Sequence, residues 1–190
     1  MLCVFNTHTM EYFQMNAALY KYPALYFTTA TIKGWKHLLK KDEYKLLITS
    51  SLEFLVKEKS VMIFAFVIMP NHIHIVWQMM PDCDLEKVQQ RLLKFTAQQI
   101  KFDLVANHPL VLAQFKVERK DRKYQFWKER PLSVALFHDK IAEQKINYIH
   151  FNPVQEKWNL AKIPSEYRFS SASLYETGVT EWDFLTHFWI

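Results

Sequence analysis

The stretch Val61-Met62-Ile63-Phe64-Ala65-Phe66-Val67-Ile68-Met69, followed by Pro70-Asn71 and then His72-Ile73-His74-Ile75-Val76, decides how this chain folds. A short apolar run that stops at a Pro-Asn pair and resumes as an alternating segment reads as two strands, Val61 to Ile68 and His72 to Met79, joined by a Met69-Pro70-Asn71 turn. Strand side chains alternate with period two, so His72 and His74 project together while Ile73 and Ile75 project to the other side. Two imidazoles in so apolar a frame need partners for their ring nitrogens, and a divalent metal is one partner they can share. The pair alone leaves the alternative of two solvated or core histidines open.

The segment Lys145-Ile146-Asn147-Tyr148-Ile149-His150-Phe151-Asn152-Pro153-Val154 follows a helix-like stretch from His138. On a helix, Tyr148 and Asn152 form an i, i+4 pair, with Lys145 one turn earlier on nearly the same line. Ala142, Ile146 and Ile149 form the opposing apolar stripe, which an ordinary amphipathic helix covering a core would also show. Pro153 ends the helix and biases Asn152 away from αR geometry.

Met69-Pro70-Asn71-His72-Ile73-His74 together with Tyr148-Ile149-His150-Phe151-Asn152-Pro153-Val154 resembles the two signatures of the HUH endonuclease superfamily, in its single-tyrosine branch. The tyrosine helix is similar to that of the REP-associated tyrosine transposases. Weaker echoes lie in Leu93-Lys94-Phe95-Thr96, Phe126-Trp127-Lys128 and Tyr167-Arg168-Phe169-Ser170-Ser171, and the resemblance runs from about Leu25 to Tyr175. It implies that His72, His74 and Asn152 hold Mg²⁺ or Mn²⁺ and that Tyr148 attacks DNA. Gln155-Glu156-Lys157-Trp158 departs from the family, which often continues with a basic and a small residue, so a phosphate contact there is lost or supplied by Lys157. Leu25-Tyr26-Phe27-Thr28-Thr29-Ala30 also lacks the glycines many members carry nearby.

Composition is that of a compact protein. The chain has 190 residues, 50% hydrophobic and 16% aromatic, enough for one domain spanning 1–190 with its core at about 24–154. No apolar run is long enough to span a membrane, and the N-terminus lacks the pattern of a signal peptide. Cys3 and Cys83 provide neither a disulfide framework nor a zinc motif. The expected location is cytoplasmic. Only Gly34 and Gly178 are present, so no phosphate-cradling nucleotide loop can form.

The net charge of +5 favours a polyanionic partner. Seven cations, Lys116, Arg119, Lys120, Arg122, Lys123, Lys128 and Arg130, face only Glu118, Asp121 and Glu129 in the segment 116–130. Tyr124, Phe126 and Trp127 interleave with them, the composition of a platform where cations track phosphate and rings stack on bases. A solvated loop leading into a strand has the same composition. A second basic cluster comprises Lys33, Lys36, Lys40 and Lys41.

Periodicity predicts a first strand from Leu25 to Ile32 and a helix capped by Asp42 with Tyr44, Leu47, Ile48, Leu52 and Leu55 inward. Asp84 caps a second helix with Val88, Leu92, Phe95 and Ile100 on its buried side, and a strand near Tyr124 to Leu136 completes βαββαβ. That order gives an α+β, ferredoxin-like (split βαβ) sandwich with an antiparallel sheet, to which the tyrosine helix is added. Residues 1–22 and the tail after Val154 read as extensions, the tail packing through Trp182, Phe184, Phe188 and Trp189.

These features and the resemblance imply a metal-dependent single-stranded DNA endonuclease and strand transferase. It would act on hairpin or inverted-repeat DNA through a 5′-phosphotyrosine, with Lys145 beside the nucleophile. Two rivals stay open: a domesticated nucleic-acid-binding protein without turnover, and a metal-dependent phosphodiesterase that uses water. Metal-dependent nicking separates the first from an enzyme; covalent capture of DNA excludes the second. A homodimer that exchanges tyrosine helices also stays open.

Overall fold

A computed structural model describes residues 25–189. The elements are β1 (Leu25–Thr31), α1 (Asp42–Lys57), β2 (Val61–Met69), β3 (His72–Met79), α2 (Leu85–Asn107), α3 (Pro109–Ala113), β4 (Leu132–Leu136), α4 (Asp139–Phe151) and α5 (Ala172–Thr177). The four strands form one antiparallel sheet in the order β2-β3-β1-β4, so β3 separates the two strands that α1 connects. Pro70 and Asn71 alone make the turn between β2 and β3. Their carbonyls accept the N–H groups of Leu39 and Ile32, which ties this turn to the chain following β1.

Both sheet faces are covered, which is why β2 and β3 are buried along nearly their whole length rather than alternately. On one face Ile63, Phe66, Ile68, Ile73, Ile75 and Trp77 meet the inward side chains of α1 and α2. On the other, Phe27, Val67, Met69 and Val76 meet Ala142, Ile146 and Ile149 of α4, the stripe the helical spacing predicts. A register shift between Ile63 and Ala65 marks a bulge that lets both Phe64 and Ala65 join this second layer.

Four expectations need correction. Asp42 is the first residue of α1 rather than its cap; Lys41 occupies that position, and the Asp42 carboxylate pairs with Lys45 Nζ at 2.7 Å. Asp84 does cap α2, accepting the Lys87 N–H at 2.8 Å. The buried stripe of α2, however, runs Val88, Leu92, Thr96, Ile100 and Leu104, a strict i+4 row that leaves Phe95 50% exposed. Asn152 keeps αR geometry (φ −58°, ψ −46°) despite the proline after it, so the helical register holds from Tyr148 to Asn152. Finally, no continuous strand spans 124–136, because Pro131 has no N–H to give a ladder. Residues 126–128 instead extend the end of β1: Lys33 N–H donates to Phe126 O, Lys128 N–H donates to Thr31 O, and Ile32 bridges Trp127.

The C-terminal segment closes the outer edge of β2. Ile68 N–H donates to Phe169 O, while Ser171 N–H and Thr186 N–H donate to Phe66 O and Ile63 O. Exposed edge groups would otherwise template pairing with another chain. Trp182 and Phe184 are buried against Phe66 and Phe188 meets Phe64 edge-on, as expected of the tail, while Trp189 is half-exposed and packs edge-on against Phe188.

Candidate metal and nucleophile site

His72 and His74 stand on the α4 side of β3, opposite Thr31 and Thr29 of β1. Both are buried, and their ring centroids lie 4.6 Å apart. His72 Nδ1 lies 2.7 Å from Asn71 Oδ1, and the orientation of that carboxamide is set by its Nδ2, which donates to Trp35 O at 3.0 Å. An acceptor at this position requires the proton on Nδ1, which leaves the Nε2 lone pair of His72 for a ligand. His74 Nδ1 bonds Thr29 Oγ1 at 2.8 Å, a hydroxyl able to serve in either role.

Burial pushes both imidazoles down, His72 to about 4 with help from Lys157, and His74 to about 3 with help from His72 and Lys145. They are neutral at physiological pH, the form that binds metal. His150, buried on α4 with Nε2 2.8 Å from Ser171 Oγ, is likewise pushed by burial to about 4.

These three depressed values fix a sign for acid stability. The unfolded chain takes up protons below about pH 6.5 that the fold refuses. Stability is therefore complete above that pH and lost as pH falls toward the folded values of about 4, 3 and 4. The slope approaches about 1.4 kcal/mol per pH unit for each imidazole. Metal-free protein should show a lower melting temperature at pH 5 than at pH 7, and an unchanged one would mean that the imidazoles protonate within the fold.

Tyr148 projects from α4 toward the same strand, its ring centroid 5.4 Å from that of His74 and 6.1 Å from that of Phe27. It is 45% exposed, and among the described residues its hydroxyl has no hydrogen-bond partner. Two tyrosines of the C-terminal segment, by contrast, have engaged hydroxyls. Tyr167 Oη donates to Ile68 O at 2.8 Å and Tyr175 Oη to Phe64 O at 3.0 Å, and burial pushes both phenols up. Lys145 Nζ lies 5.0 Å above the Phe27 ring and 5.8 Å above that of Tyr148. Asn152 is buried at the end of the same helix.

Among the described residues, no group of three or more His, Cys, Asp or Glu is gathered for a metal. Two neutral imidazoles alone are a sparse donor set, which would leave positions of a bound cation open for phosphate oxygens. The donor chemistry fits such an ion, and imidazole nitrogens favour Mn²⁺ over the oxygen-seeking Mg²⁺.

The basic segment divides. Lys116 bridges Tyr124 to form a hairpin-like loop, in which Arg119 pairs with Glu129 and Arg122 with Asp121 at 2.6 Å, while Lys123 Nζ sits 5.8 Å over Tyr124. Lys116, Lys120 and Arg130 have no carboxylate partner among the described residues. None of the hydrogen bonds or ring contacts of the histidine site reaches this loop; Lys128 alone of the set approaches it, 4.2 Å over the Trp35 ring. Trp127 is not a stacking platform: it is 6% exposed and spends its Nε1–H on Thr96 Oγ1 at 3.2 Å. Its alternation with basic residues arises from a chain crossing the end of the sheet, with Phe126 and Trp127 facing the core. Thr29, Phe27, Trp35 and Trp158 are site neighbours that sequence reasoning missed; only Asn71 was signalled, by lying inside the histidine motif.

In class, this is an α+β protein whose four-stranded antiparallel sheet sets two neutral imidazoles beside a helix-borne, unengaged tyrosine. Residues 26–152 match the family described as Transposase IS200 like, and the chain belongs to that family. The structure of a REP-associated tyrosine transposase bound to a REP hairpin is similar, with a TM-score of 0.61 at 19% identity over 84% of each chain. A candidate transposase from Deinococcus radiodurans R1 aligns with a TM-score of 0.45 at 14% identity, covering 67% of this chain and 89% of the other. No curated protein matches the chain.

Proposed function

We propose that this IS200-like transposase cleaves and rejoins single-stranded DNA next to a hairpin, with Tyr148 as nucleophile and His72, His74 and Asn152 as the holders of Mg²⁺ or Mn²⁺. The observation that carries the reading is the contact between the exposed Tyr148 and the neutral His74 within one chain. The strand order supports a ferredoxin-like core acting as one unit, and the relative solved with a REP hairpin supports a hairpin-bearing substrate. A DNA substrate fits the cytoplasmic location that the sequence leads us to expect. No described helix is long and apolar enough to cross a membrane.

The chemistry follows from the placement of these side chains. A divalent cation bound there would supply Lewis acidity to the scissile phosphate and its departing oxygen. Tyr148 Oη gives up its proton to solvent and attacks phosphorus in line. A phosphorus–Oη bond forms, the phosphorus–O3′ bond breaks, and the 3′ oxygen takes a proton. The product is a 5′-phosphotyrosine and a free 3′-OH. Because the link preserves phosphodiester energy, another 3′-OH can reverse the step and join strands. Lys145 stands over the Tyr148 ring as a cation beside the incoming phosphate. Asn71 and Thr29 hold the imidazoles in register.

End-labelled hairpin DNA incubated with the protein and Mn²⁺ tests this reading. A covalent adduct should carry only the segment 3′ of the cut; metal-dependent nicking without an adduct would favour the water-using phosphodiesterase, and binding without nicking the domesticated protein.

The basic segment should contribute through phosphate rather than bases, with Lys116, Lys120 and Arg130 as its unpaired cations and Arg119, Arg122, Lys123 and Lys128 as lesser contributors. Replacing Lys116, Lys120 and Arg130 together by Ala should lower the slope of log K against log salt by roughly 2 units, about 0.7 per lost contact on a single strand. An unchanged slope would make the segment an ordinary solvated loop.

A further inference from the structure

Beside the paired imidazoles lies a cleft that the cleavage chemistry does not use. Its volume is about 480 Å³, and its walls include Trp35, Trp158, His37, Pro70, Lys40 and Lys157, with no acidic residue in the lining. Its two indoles both touch the site: the ring centroids of Trp35 and Trp158 lie 6.5 and 5.8 Å from that of His72. Ammonium groups accompany them, Lys128 Nζ at 4.2 Å over Trp35 and Lys157 Nζ at 5.2 Å over Trp158.

Trp35 is held in a way that folding alone does not explain. Its side chain is 55% exposed, so it contributes little to the core. Its backbone has φ 57°, the left-handed region that bulky residues rarely adopt, directly after Gly34 at φ 68°. The conformation is clamped at both ends, by the Trp35 N–H donating to Ile32 O and by Asn71 Nδ2 donating to Trp35 O, each at 3.0 Å. The oxygen of that same carboxamide orients His72. One side chain therefore fixes a candidate metal ligand and an exposed indole in a common frame.

An exposed indole, Trp35, and a half-buried one, Trp158, with lysines above them and no carboxylate in the lining match the chemistry of a nucleotide, an aromatic face joined to an anion. A peptide would find no acid here to meet its cations, and a purely apolar ligand would leave the lysines without a counter-charge. The hollow also lies within the usual size range of small-ligand sites.

We propose that this cleft is a base-binding subsite, which receives one unpaired nucleobase of the strand flanking the scissile phosphate on the indole of Trp35 or Trp158, while Lys40, Lys128 and Lys157 meet its phosphates. The inference rests on the DNA-cleaving reading and deepens it, assigning recognition of the flanking strand to residues outside the His72, His74, Tyr148 and Asn152 set.

The test compares two fluorescein-labelled probes with equal numbers of phosphates: a short mixed-sequence single-stranded oligonucleotide and its fully abasic counterpart. Trp35→Ala and Trp158→Ala should each weaken binding of the base-bearing probe, by about 5- to 100-fold where the base stacks, and leave the abasic probe unchanged. Trp35→Phe and Trp158→Phe should restore most of the loss, and unchanged circular dichroism would show that the fold survives. Equal losses on both probes, or none on either, would overturn the subsite, as would a wild type that binds neither. Because this measurement involves no cleavage, an absent adduct in the wild type would sink the nuclease reading without deciding the subsite. Adduct formation together with unaltered base preference in the tryptophan variants would remove the subsite alone.

Discussion

Tyr148→Phe should abolish the protein–DNA adduct and reduce cleavage by roughly 10⁴- to 10⁶-fold, the scale on which loss of a nucleophile acts, while binding of the same DNA persists. The substitution removes one oxygen. The ring keeps its edge contacts with His74 and Phe27, and no hydrogen bond among the described residues is lost. Stability should therefore stay within about 0.5 kcal/mol of wild type, as for surface changes generally. Tyr167→Phe and Tyr175→Phe provide the contrast, since each leaves a strand carbonyl without its phenol donor. Those variants should lose about 1 to 3 kcal/mol of stability yet still form the adduct. An adduct surviving in Tyr148→Phe would move the chemistry to another residue.

His74→Ala is the second large effect expected. If the two imidazoles hold the cation, its removal should take Mg²⁺- or Mn²⁺-dependent cleavage below detection, and His72→Ala should do the same. DNA affinity should change little, because phosphate contacts supply most of it. Asn152→Ala should do less harm, since water can replace a neutral carboxamide. Substitutions behind the ligands should have intermediate effects: Thr29→Val and Asn71→Ala remove the partners of His74 Nδ1 and His72 Nδ1, and losses of about 10- to 100-fold in metal affinity or rate are expected. Isothermal titration with Mn²⁺, run beside the cleavage assay, separates a binding defect from a chemical one. Full activity in His74→Ala would end the metal assignment.

The local parts of this protein were legible because they depend on short-range rules. Alternation placed His72 and His74 on one side of a strand and Ile73 and Ile75 on the other, and the two faces of the sheet bear this out. Helical spacing placed Ala142, Ile146 and Ile149 against the core, and Tyr148 falls at the flank of that stripe, half-exposed with its ring against His74. Where a long-range contact overrode the local pattern, reading failed. Phe95 is in phase with an apolar helix, yet Thr96 is buried because its hydroxyl meets Trp127 across the structure. Trp127 lies in a basic stretch of nucleic-acid-like composition, but the segment pairs with the end of β1 and turns the ring inward.

By itself, then, the sequence determined the alternation that pairs the histidines, the helix that carries the tyrosine and the element order that builds the sheet, because each depends on neighbours within a few residues. The tertiary structure alone decided the rest. It left the Tyr148 hydroxyl without a hydrogen-bond partner among the described residues while bonding those of Tyr167 and Tyr175 to strand carbonyls, and it set Thr29 behind His74 through the register of β1 on β3. It also drew Trp35 and Trp158, 123 positions apart in the sequence, to the ring of His72. Register and loop packing are fixed by the whole core closing at once, so no window of sequence contains them.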